Sequence, residues 1–348
     1  MGSETWPLGP SIVVFAASAL LVAFVGVRMS KVADLLADRI GLGEALFGGV
    51  FLGASTSLSG IVTSVTAAAS NHPELAYSNA VGGIAAQTFF LAVADVAHRR
   101  INLEHAAASF ENLIYGSLLV ALLAIPLFTA VTPEFTIWSV SPAAPLMILV
   151  YLYGLHLVRL GHEKPMWRPT RTRETEPDVP QEEDGTGPST RSLWGRFAIF
   201  AACTAAAGWA IARAGTSITA ATGLSESVVG ALFTAVATSL PELITTVAAV
   251  RLGAPTLAVG GIIGGNAFDT LFLAVSDVAY REGSLFHAVP QDGFFLVTLA
   301  ILETNVLVLG LLSREKRGLA NIGFESVSLV VLYLGGMALL FFMGMGRG

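Results

Sequence analysis

Long apolar stretches alternate with short polar ones along almost the whole of this 348-residue chain. A helix needs roughly 20 apolar residues to cross the hydrocarbon core of a bilayer. The pattern therefore predicts an all-α membrane protein with ten transmembrane helices, near 11–28, 41–70, 75–97, 112–132, 138–160, 196–214, 224–250, 256–279, 293–313 and 321–346. No basic residue precedes the first stretch, so we expect it to be a retained span and not a cleaved signal.

The composition agrees with a chain that lies in a lipid bilayer. Apolar residues make up 54% of the chain and charged residues only 13%, whereas a soluble protein carries about 25% charge. The single cysteine, Cys203, excludes a disulfide framework and a cysteine metal cluster. We expect no cofactor, no nucleic-acid ligand and no obligate protein partner.

One polar stretch divides the chain into two halves. Residues 161–195 are rich in Pro, Thr, Arg and Glu, which is typical of a flexible linker. The halves are then 1–160 and 196–348, with five predicted spans each.

Basic residues predict the orientation. With the N-terminus outside and ten alternating spans, sixteen of the nineteen Lys and Arg residues fall on the inside, and only Arg213, Arg281 and Arg347 fall outside. Because cytoplasmic loops carry an excess of basic residues, this favours both termini outside and a cytoplasmic linker.

A segment of the first half recurs in the second half 182 residues later. Residues 56–97 and 238–279 align without a gap and are identical at 20 of 42 positions. The repeats extend over about 53–97 and 235–279. Since each half has an odd number of spans, the two copies enter the membrane in opposite directions, which is the inverted repeat found in secondary transporters. The alternative is a duplicated bundle without this inverted arrangement.

The second copy places polar groups inside apolar helices. It reads Thr238-Ser239-Leu240-Pro241-Glu242, and the proline leaves the carbonyl of Ala237 without its helical donor. An intramembrane carboxylate such as Glu242 indicates either a functional site or a buried pair at a proline kink. Gly264-Gly265-Asn266-Ala267-Phe268-Asp269 follows, with Asn266 and Asp269 three residues apart. Oxygen ligands of this kind suit Ca²⁺, Mg²⁺ and Na⁺.

These two blocks resemble the second alpha-repeat of the sodium/calcium exchanger and cation antiporter superfamily, prokaryotic type. The resemblance implies a secondary active cation antiporter in a bacterial or archaeal cell membrane, with sodium-coupled calcium exchange by alternating access as the expected activity. It also implies a non-enzymatic protein, and it carries over six cation ligands: Thr56, Ser57, Thr238, Ser239, Glu242 and Asp269. Asn266 belongs to the same motif, and Gln87 stands where the family has an amide or a carboxylate.

The first copy departs from the family pattern. Ser59-Gly60 stands where the family has Pro-Glu, and Ile84 stands at the position of Asn266. Gly83 and Gly265 replace a serine that the family often uses as a ligand. One family glutamate is therefore missing, and cation/proton or sodium/magnesium exchange is the alternative to sodium-coupled calcium exchange. Ser55, Ser59 and Ser64 could supply compensating oxygens.

Three further carboxylates fall in predicted spans. Asp95 and Asp277 occupy equal repeat positions, and basic residues follow both, so we expect an interfacial or helix-end role. Glu303 lies in the middle of the ninth span, where a buried pair and a proton path are both compatible with its position. An intramembrane hydrolase is disfavoured because Gly53-Ala54-Ser55-Thr56-Ser57 fails the G-x-S-x-G pattern. A channel is disfavoured because selectivity is usually built from rings in symmetric oligomers.

Overall fold

The computed structural model describes residues 5–40, 49–98, 102–107, 109–163, 189–315 and 323–345. These residues are helical, apart from loops and one isolated bridge between Ile137 and Val140. The helices, in chain order, are α1 Leu8–Ile40, α2 Gly49–Thr56, α3 Leu58–Ala69, α4 Pro73–His98, α5 Leu103–Ala107, α6 Phe110–Ala130, α7 Ala143–Glu163, α8 Thr190–Thr222, α9 Glu226–Val228, α10 Ala235–Thr238, α11 Leu240–Arg251, α12 Pro255–Asp269, α13 Leu271–Ala279, α14 Leu285–Ala288, α15 Gln291–Ser313 and α16 Phe324–Met345. A π-helical turn, Val229–Thr234, joins α9 to α10.

The described helices include eight that are long and apolar enough to cross a membrane. A ninth span results if the bent pair 226–238 and 240–251 counts as one. The predicted span at 41–70 corresponds to α2 and α3, which are only 8 and 12 residues long. The membrane-spanning helical architecture is therefore confirmed, while the count of ten and the outside location of both termini stay predictions.

The two helices that flank the predicted linker extend into its predicted range at both ends. Helix α7 continues to Glu163, and α8 begins at Thr190, where the side chain of Ser189 accepts a hydrogen bond from the amide of Ser192. A capping serine can start a helix before its first apolar residue, so the hydropathy pattern does not detect this helix start. Residues 164–188 of the predicted linker lie outside the described residues.

The two copies share their helix boundaries at the same spacing of 182 residues. The matched boundaries are the ends of α2 and α10 at Thr56 and Thr238, and the starts of α3 and α11 at Leu58 and Leu240, of α4 and α12 at Pro73 and Pro255, and of α5 and α14 at Leu103 and Leu285. The repeat therefore extends beyond the identical residues into the short helices α5 and α14.

Both copies break their helix at the same serine. Ser239 separates α10 from α11, and the helical segments 226–238 and 240–251 on its two sides lie at 48° to each other. Pro241 follows as the second residue of α11. Ser57 separates α2 from α3 with a similar backbone, although Ser59 and not a proline stands two residues later. The proline is thus not required for the break.

Glycines allow each half to lie against the broken helix of the other. In α1, a Cβ at Gly26 would come within 2.5 Å of the Pro241 ring. In α8, a Cβ at the matching Gly208 would come within 2.5 Å of the carbonyl oxygen of Ser59. Helices α1 and α8 also pack along each other, so the first and sixth predicted spans form one layer across both breaks.

Asp95 and Asp277 cap the short helices at the two ends of the bundle. The Oδ1 atom of Asp95 accepts from the amide of Leu103 (2.9 Å), and its Oδ2 accepts from the Ser326 hydroxyl (2.9 Å). Asp277 accepts from the amides of Leu285 (2.8 Å) and Ser141 (2.7 Å). Each carboxylate thus joins a repeat of one half to the region where the last helix of the other half begins, and both have the helix-end role expected from sequence.

Candidate cation-binding site

The eight predicted site residues come together where the two broken helices meet the middle of α4 and the C-terminal end of α12. All of them are at most 9% exposed: Thr56, Ser57, Gln87, Thr238, Ser239, Glu242, Asn266 and Asp269. Hydrogen bonds link residues about 150 to 212 positions apart, so two separate regions of the chain build one site.

Asp269 is held by hydrogen bonds from the first copy. Its Oδ1 atom accepts from the Ser57 hydroxyl at 2.5 Å, and its Oδ2 accepts from the amide Nε2 of Gln87 at 2.7 Å. The same Nε2 also donates to the Ser239 hydroxyl at 3.2 Å. Ser57 and Ser239 are matching positions, as are Gln87 and Asp269, so the contacts obey the internal symmetry although the side chains at one pair differ.

Both side-chain amides of the site direct their N–H groups to protein acceptors. Asn266 Nδ2 donates to the Thr88 hydroxyl (2.9 Å) and to the carbonyl of Ile84 (3.3 Å). The carbonyl oxygens Asn266 Oδ1 and Gln87 Oε1 are buried without a donor among the described residues. A buried oxygen of this kind is costly unless a cation, a water or another donor faces it.

Glu242 also lacks hydrogen-bond donors, and in its case both side-chain oxygens are affected. Both of its carboxylate oxygens are buried and have no hydrogen-bond partner within the described part of the chain. The Thr56 hydroxyl approaches it, but donates to the carbonyl of Gly53 at 3.0 Å. Glu242 is also close enough to Asp269 for the two carboxylates to repel each other when both are ionised.

The remaining hydroxyls of the site donate to backbone carbonyls. The Thr238 hydroxyl donates to Thr234 (3.0 Å), Ser55 donates to Phe51 (2.7 Å), and Ser59 donates across the halves to the carbonyl of Thr238 (3.1 Å). A hydroxyl that donates one hydrogen bond keeps its lone pairs. These oxygens can therefore still serve as ligands.

Asn79 belongs to this region but is absent from the sequence-based set. It is 2% exposed, its Nδ2 donates to the Ser64 hydroxyl (2.9 Å) and to the Gly60 carbonyl (3.3 Å), and its Oδ1 has no partner in the described residues. Its repeat position is Gly261, so comparison of the two copies did not reveal it. Its position eight residues before Gln87, near two helical turns on the same helix, was the available signal.

Three glycines line the site or stand beside it. A Cβ at Gly83 would lie 3.5 Å from the Ser239 hydroxyl, and one at Gly265 would lie 3.9 Å from Gln87 Oε1, which are ordinary contact distances. At Gly60, where the resemblance expects a glutamate, a Cβ would lie 2.7 Å from the ring of Phe272. The absent glutamate is therefore replaced by an aromatic ring from α13.

The chemistry of the site is that of hard oxygen ligands. In the described residues no group of three His, Cys, Asp or Glu side chains forms a cluster suited to a metal ion. Glu242 and Asp269 contribute two carboxylates, and all other candidate ligands are neutral oxygens. Such a set fits alkali and alkaline-earth cations, which take carbonyl, hydroxyl and carboxylate oxygens.

Sequence comparisons agree with this arrangement. A family model described as sodium/calcium exchanger protein matches residues 10–160 and 192–342. The chain is 26% identical over 259 residues to the inner membrane protein YrbG of Escherichia coli K12, covering 73% of this chain and 75% of that protein. It is 32% identical over 116 residues to the sodium/calcium exchanger MaX1 of Methanosarcina acetivorans, a match that spans 32% of each protein, or about a third of their lengths.

Solved structures share the fold at low sequence identity. Native YfkE superposes with a TM-score of 0.67 at 13% identity, covering 97% of this chain and 93% of that one. The H⁺/Ca²⁺ exchanger CAX gives 0.64 at 13% identity, with 97% and 87% covered. The sodium-calcium exchanger NCX_Mj gives 0.54 at 17% identity, with 94% and 99% covered.

The family model covers most of both halves, and its two matched segments are themselves offset by 182 residues, from 10 to 192 and from 160 to 342. The apolar helices of the structure agree with a membrane location, and the named exchangers among its relatives are transporters and not enzymes. The chain belongs to the sodium/calcium exchanger family.

Proposed function

We propose that this protein exchanges cations across the membrane by alternating access, with Ca²⁺ carried in one direction and Na⁺ in the other. The observation that carries the proposal is a group of buried oxygens without donors around Asp269: both carboxylate oxygens of Glu242, Gln87 Oε1 and Asn266 Oδ1. A cation bound among them would supply the missing interaction. With both carboxylates ionised the site carries −2, which balances one Ca²⁺ or two Na⁺.

Alternating access follows from the inverted halves. Matched segments of the two copies face each other near the middle of the membrane, and rocking or sliding of one part against the other opens the site to each side in turn. Helices α1 and α8 are the candidate moving pair, because they form one layer across both broken helices through Gly26 and Gly208.

Cation/proton exchange is the second candidate, and the absence of site carboxylates from the first copy favours it. Gly60 and Gln87 stand at the positions of Glu242 and Asp269, so one half of the site contributes no carboxylate. A site with two acids can balance one divalent cation on one stroke and two protons on the other. The shared fold does not choose between the coupling ions, since its relatives include both an H⁺/Ca²⁺ exchanger and a sodium-calcium exchanger.

Transport by purified protein in liposomes tests the proposal. Uptake of radioactive Ca²⁺ is measured with Na⁺ inside, with a pH gradient alone, and with neither, and Mg²⁺ is tested as a competitor. An antiporter requires the internal cation, whereas a channel conducts without one. Glu242→Gln should abolish Ca²⁺ uptake, and Glu282→Gln, which removes an exposed carboxylate, should leave it unchanged. Wild-type uptake by the Glu242→Gln protein would contradict the site.

We infer the topology with both termini outside from the distribution of basic residues. Single cysteines in a Cys203→Ser background test it with a membrane-impermeant thiol reagent on intact cells. A cysteine at Glu282, in a predicted outside loop, should be labelled, and one at Arg171, in the predicted cytoplasmic linker, should not. The reverse pattern would overturn the inference.

A further inference from the structure

Glu303 is a buried acid that the candidate site does not use. It lies near the middle of the 23-residue helix α15 and is 0% exposed. Neither of its carboxylate oxygens has a hydrogen-bond partner among the described residues. An ionised carboxylate in such a place is expensive without a counter-charge, so an acid at this depth indicates a functional site.

The helices packed around Glu303 provide no hydrogen-bond partner for its carboxylate among the described residues. Helix α15 packs mainly against α4, α6 and α16, and its end contacts α5. The Thr304 hydroxyl next to it donates to the carbonyl of Ala300 at 2.7 Å. The titratable residues on the packed helices whose side chains the structure describes are Glu74, Tyr77, Asp95, His105, Glu111, Tyr115, Glu325 and Tyr333. Of these, Tyr333 lies close enough to Glu303 to interact with it electrostatically.

The ligand count at Glu303 distinguishes a proton from a metal ion. Ca²⁺ takes six to eight oxygens, and Mg²⁺ demands an octahedral set. No second acid among the described residues acts on Glu303, and neither of its oxygens has a hydrogen-bond partner there, whereas Glu242 has Asp269 beside it. A proton needs only one carboxylate oxygen, so it is the cation that this environment can hold.

Tyr333 connects Glu303 to the helix that carries part of the cation site. The Tyr333 ring stacks on Phe89 with centroids 4.7 Å apart and planes 11° apart. Phe89 lies two residues after Gln87 on α4. The environment of Glu303 is therefore packed directly onto the element that presents Gln87 to Asp269. The position of Glu303 in the first half is occupied by Ala121, so this acid has no symmetric partner.

We propose that Glu303 is a second ion-binding group, separate from Glu242 and Asp269, that binds one proton and releases it during the transport cycle. The carboxylate takes the proton from water that reaches it in one state of the cycle and returns it to water in another, so no other reactant is required. The inference rests on the proposed exchange function for its transport readout, whereas protonation of Glu303 is measurable without transport.

Infrared difference spectroscopy of the purified wild-type protein tests protonation directly. A protonated carboxyl group absorbs separately from a carboxylate, and titration with pH should reveal a carboxyl band that disappears in Glu303→Gln. Glu325→Gln is the matched control, because Glu325 is also buried on a packed helix with both oxygens unpartnered among the described residues, and it should retain the band. If no carboxyl band is lost in Glu303→Gln, the proposal is wrong, whether or not the protein transports.

Proton flux during exchange tests the second half of the proposal. Liposomes containing a pH dye are loaded with Na⁺, and Ca²⁺ is added outside. The wild type should show proton movement accompanying Ca²⁺ uptake, Glu303→Gln should lose that movement, and Glu303→Asp should retain it in part. Unchanged proton movement in a folded Glu303→Gln protein would overturn the proposal, as would loss in Glu325→Gln to the same extent. Absence of all Ca²⁺ uptake in the wild type would instead refute the proposed function.

Discussion

The carboxylate of Asp277 should be among the most important side chains for the stability of this protein. It is 0% exposed and accepts hydrogen bonds from two backbone amides, those of Leu285 and Ser141, which are themselves 0% and 2% exposed. These two residues lie at the start of α14 and just before α7. Asp277→Ala removes the acceptor of both and leaves two buried N–H groups without a partner.

The magnitude follows from the number of stranded donors. A buried donor left unsatisfied costs about 1–3 kcal/mol, so Asp277→Ala should lower the free energy of unfolding by about 2–6 kcal/mol. Asp277→Asn keeps one acceptor oxygen but turns an N–H group toward the second amide. It should therefore cost about half as much.

Ser276→Ala provides the matched control. Ser276 is the neighbouring residue, is equally buried, and its hydroxyl has no partner in the described structure. Its removal strands no buried donor or acceptor, so it should not lower the free energy of unfolding.

Reversible unfolding in mixed micelles of a mild detergent and sodium dodecyl sulfate measures all three variants. The expected order of stability is wild type and Ser276→Ala, then Asp277→Asn, then Asp277→Ala. If both Asp277 variants were as stable as Ser276→Ala, the carboxylate would not be the cap that holds α14 and the start of α7 together, and the reasoning would fail.

Four further outcomes are expected. Asp269→Asn should reduce Ca²⁺ uptake in liposomes, because it halves the negative charge of the site while keeping its shape; uptake equal to wild type would remove Asp269 from the ligand set. Gly83→Ser should fold normally and change Ca²⁺ affinity in calorimetric titration, since its Cβ meets Ser239 at an ordinary 3.5 Å. Gly60→Glu should instead destabilise the protein by about 1–3 kcal/mol, because Phe272 occupies the space, and a stable variant with tighter Ca²⁺ binding would contradict this. A cross-link between the α1–α8 pair and a helix of the rest of the bundle should stop exchange and leave cation binding intact. Full exchange in a verified cross-linked sample would exclude this pair as the moving part.

The membrane-spanning class and the duplication could be recognised from the residues alone, because both are visible in the linear sequence and need no knowledge of tertiary contacts. Apolar stretches of sufficient length have few alternatives to a membrane helix. A spacing of 182 residues with 20 identities in 42 positions shows that two segments adopt related structures. The glutamate and the aspartate of the second copy stood out for the same reason, since carboxylates are rare in such stretches.

Other features depend on contacts between helices, which no local sequence pattern reveals. The break at Ser57 has no proline to announce it, and α3 instead approaches α8 so closely that Gly208 meets the carbonyl of Ser59. Asn79 has no counterpart in the second copy, and its partners, Ser64 and Gly60, lie on α3.

Tertiary structure also decided which atoms of the site remain available for a cation. The sequence named Gln87 and Asn266 as polar residues, but only the packing of α4 against α12 directs their N–H groups to Asp269 and Thr88 and leaves their carbonyl oxygens unpaired. In the same way, the sequence indicates only that Gly60 lacks the glutamate side chain of the family, whereas the structure shows that the ring of Phe272 lies beside Gly60. The tertiary structure decides which polar atoms pair, because each donor can bond to any acceptor that the fold brings within about 3 Å.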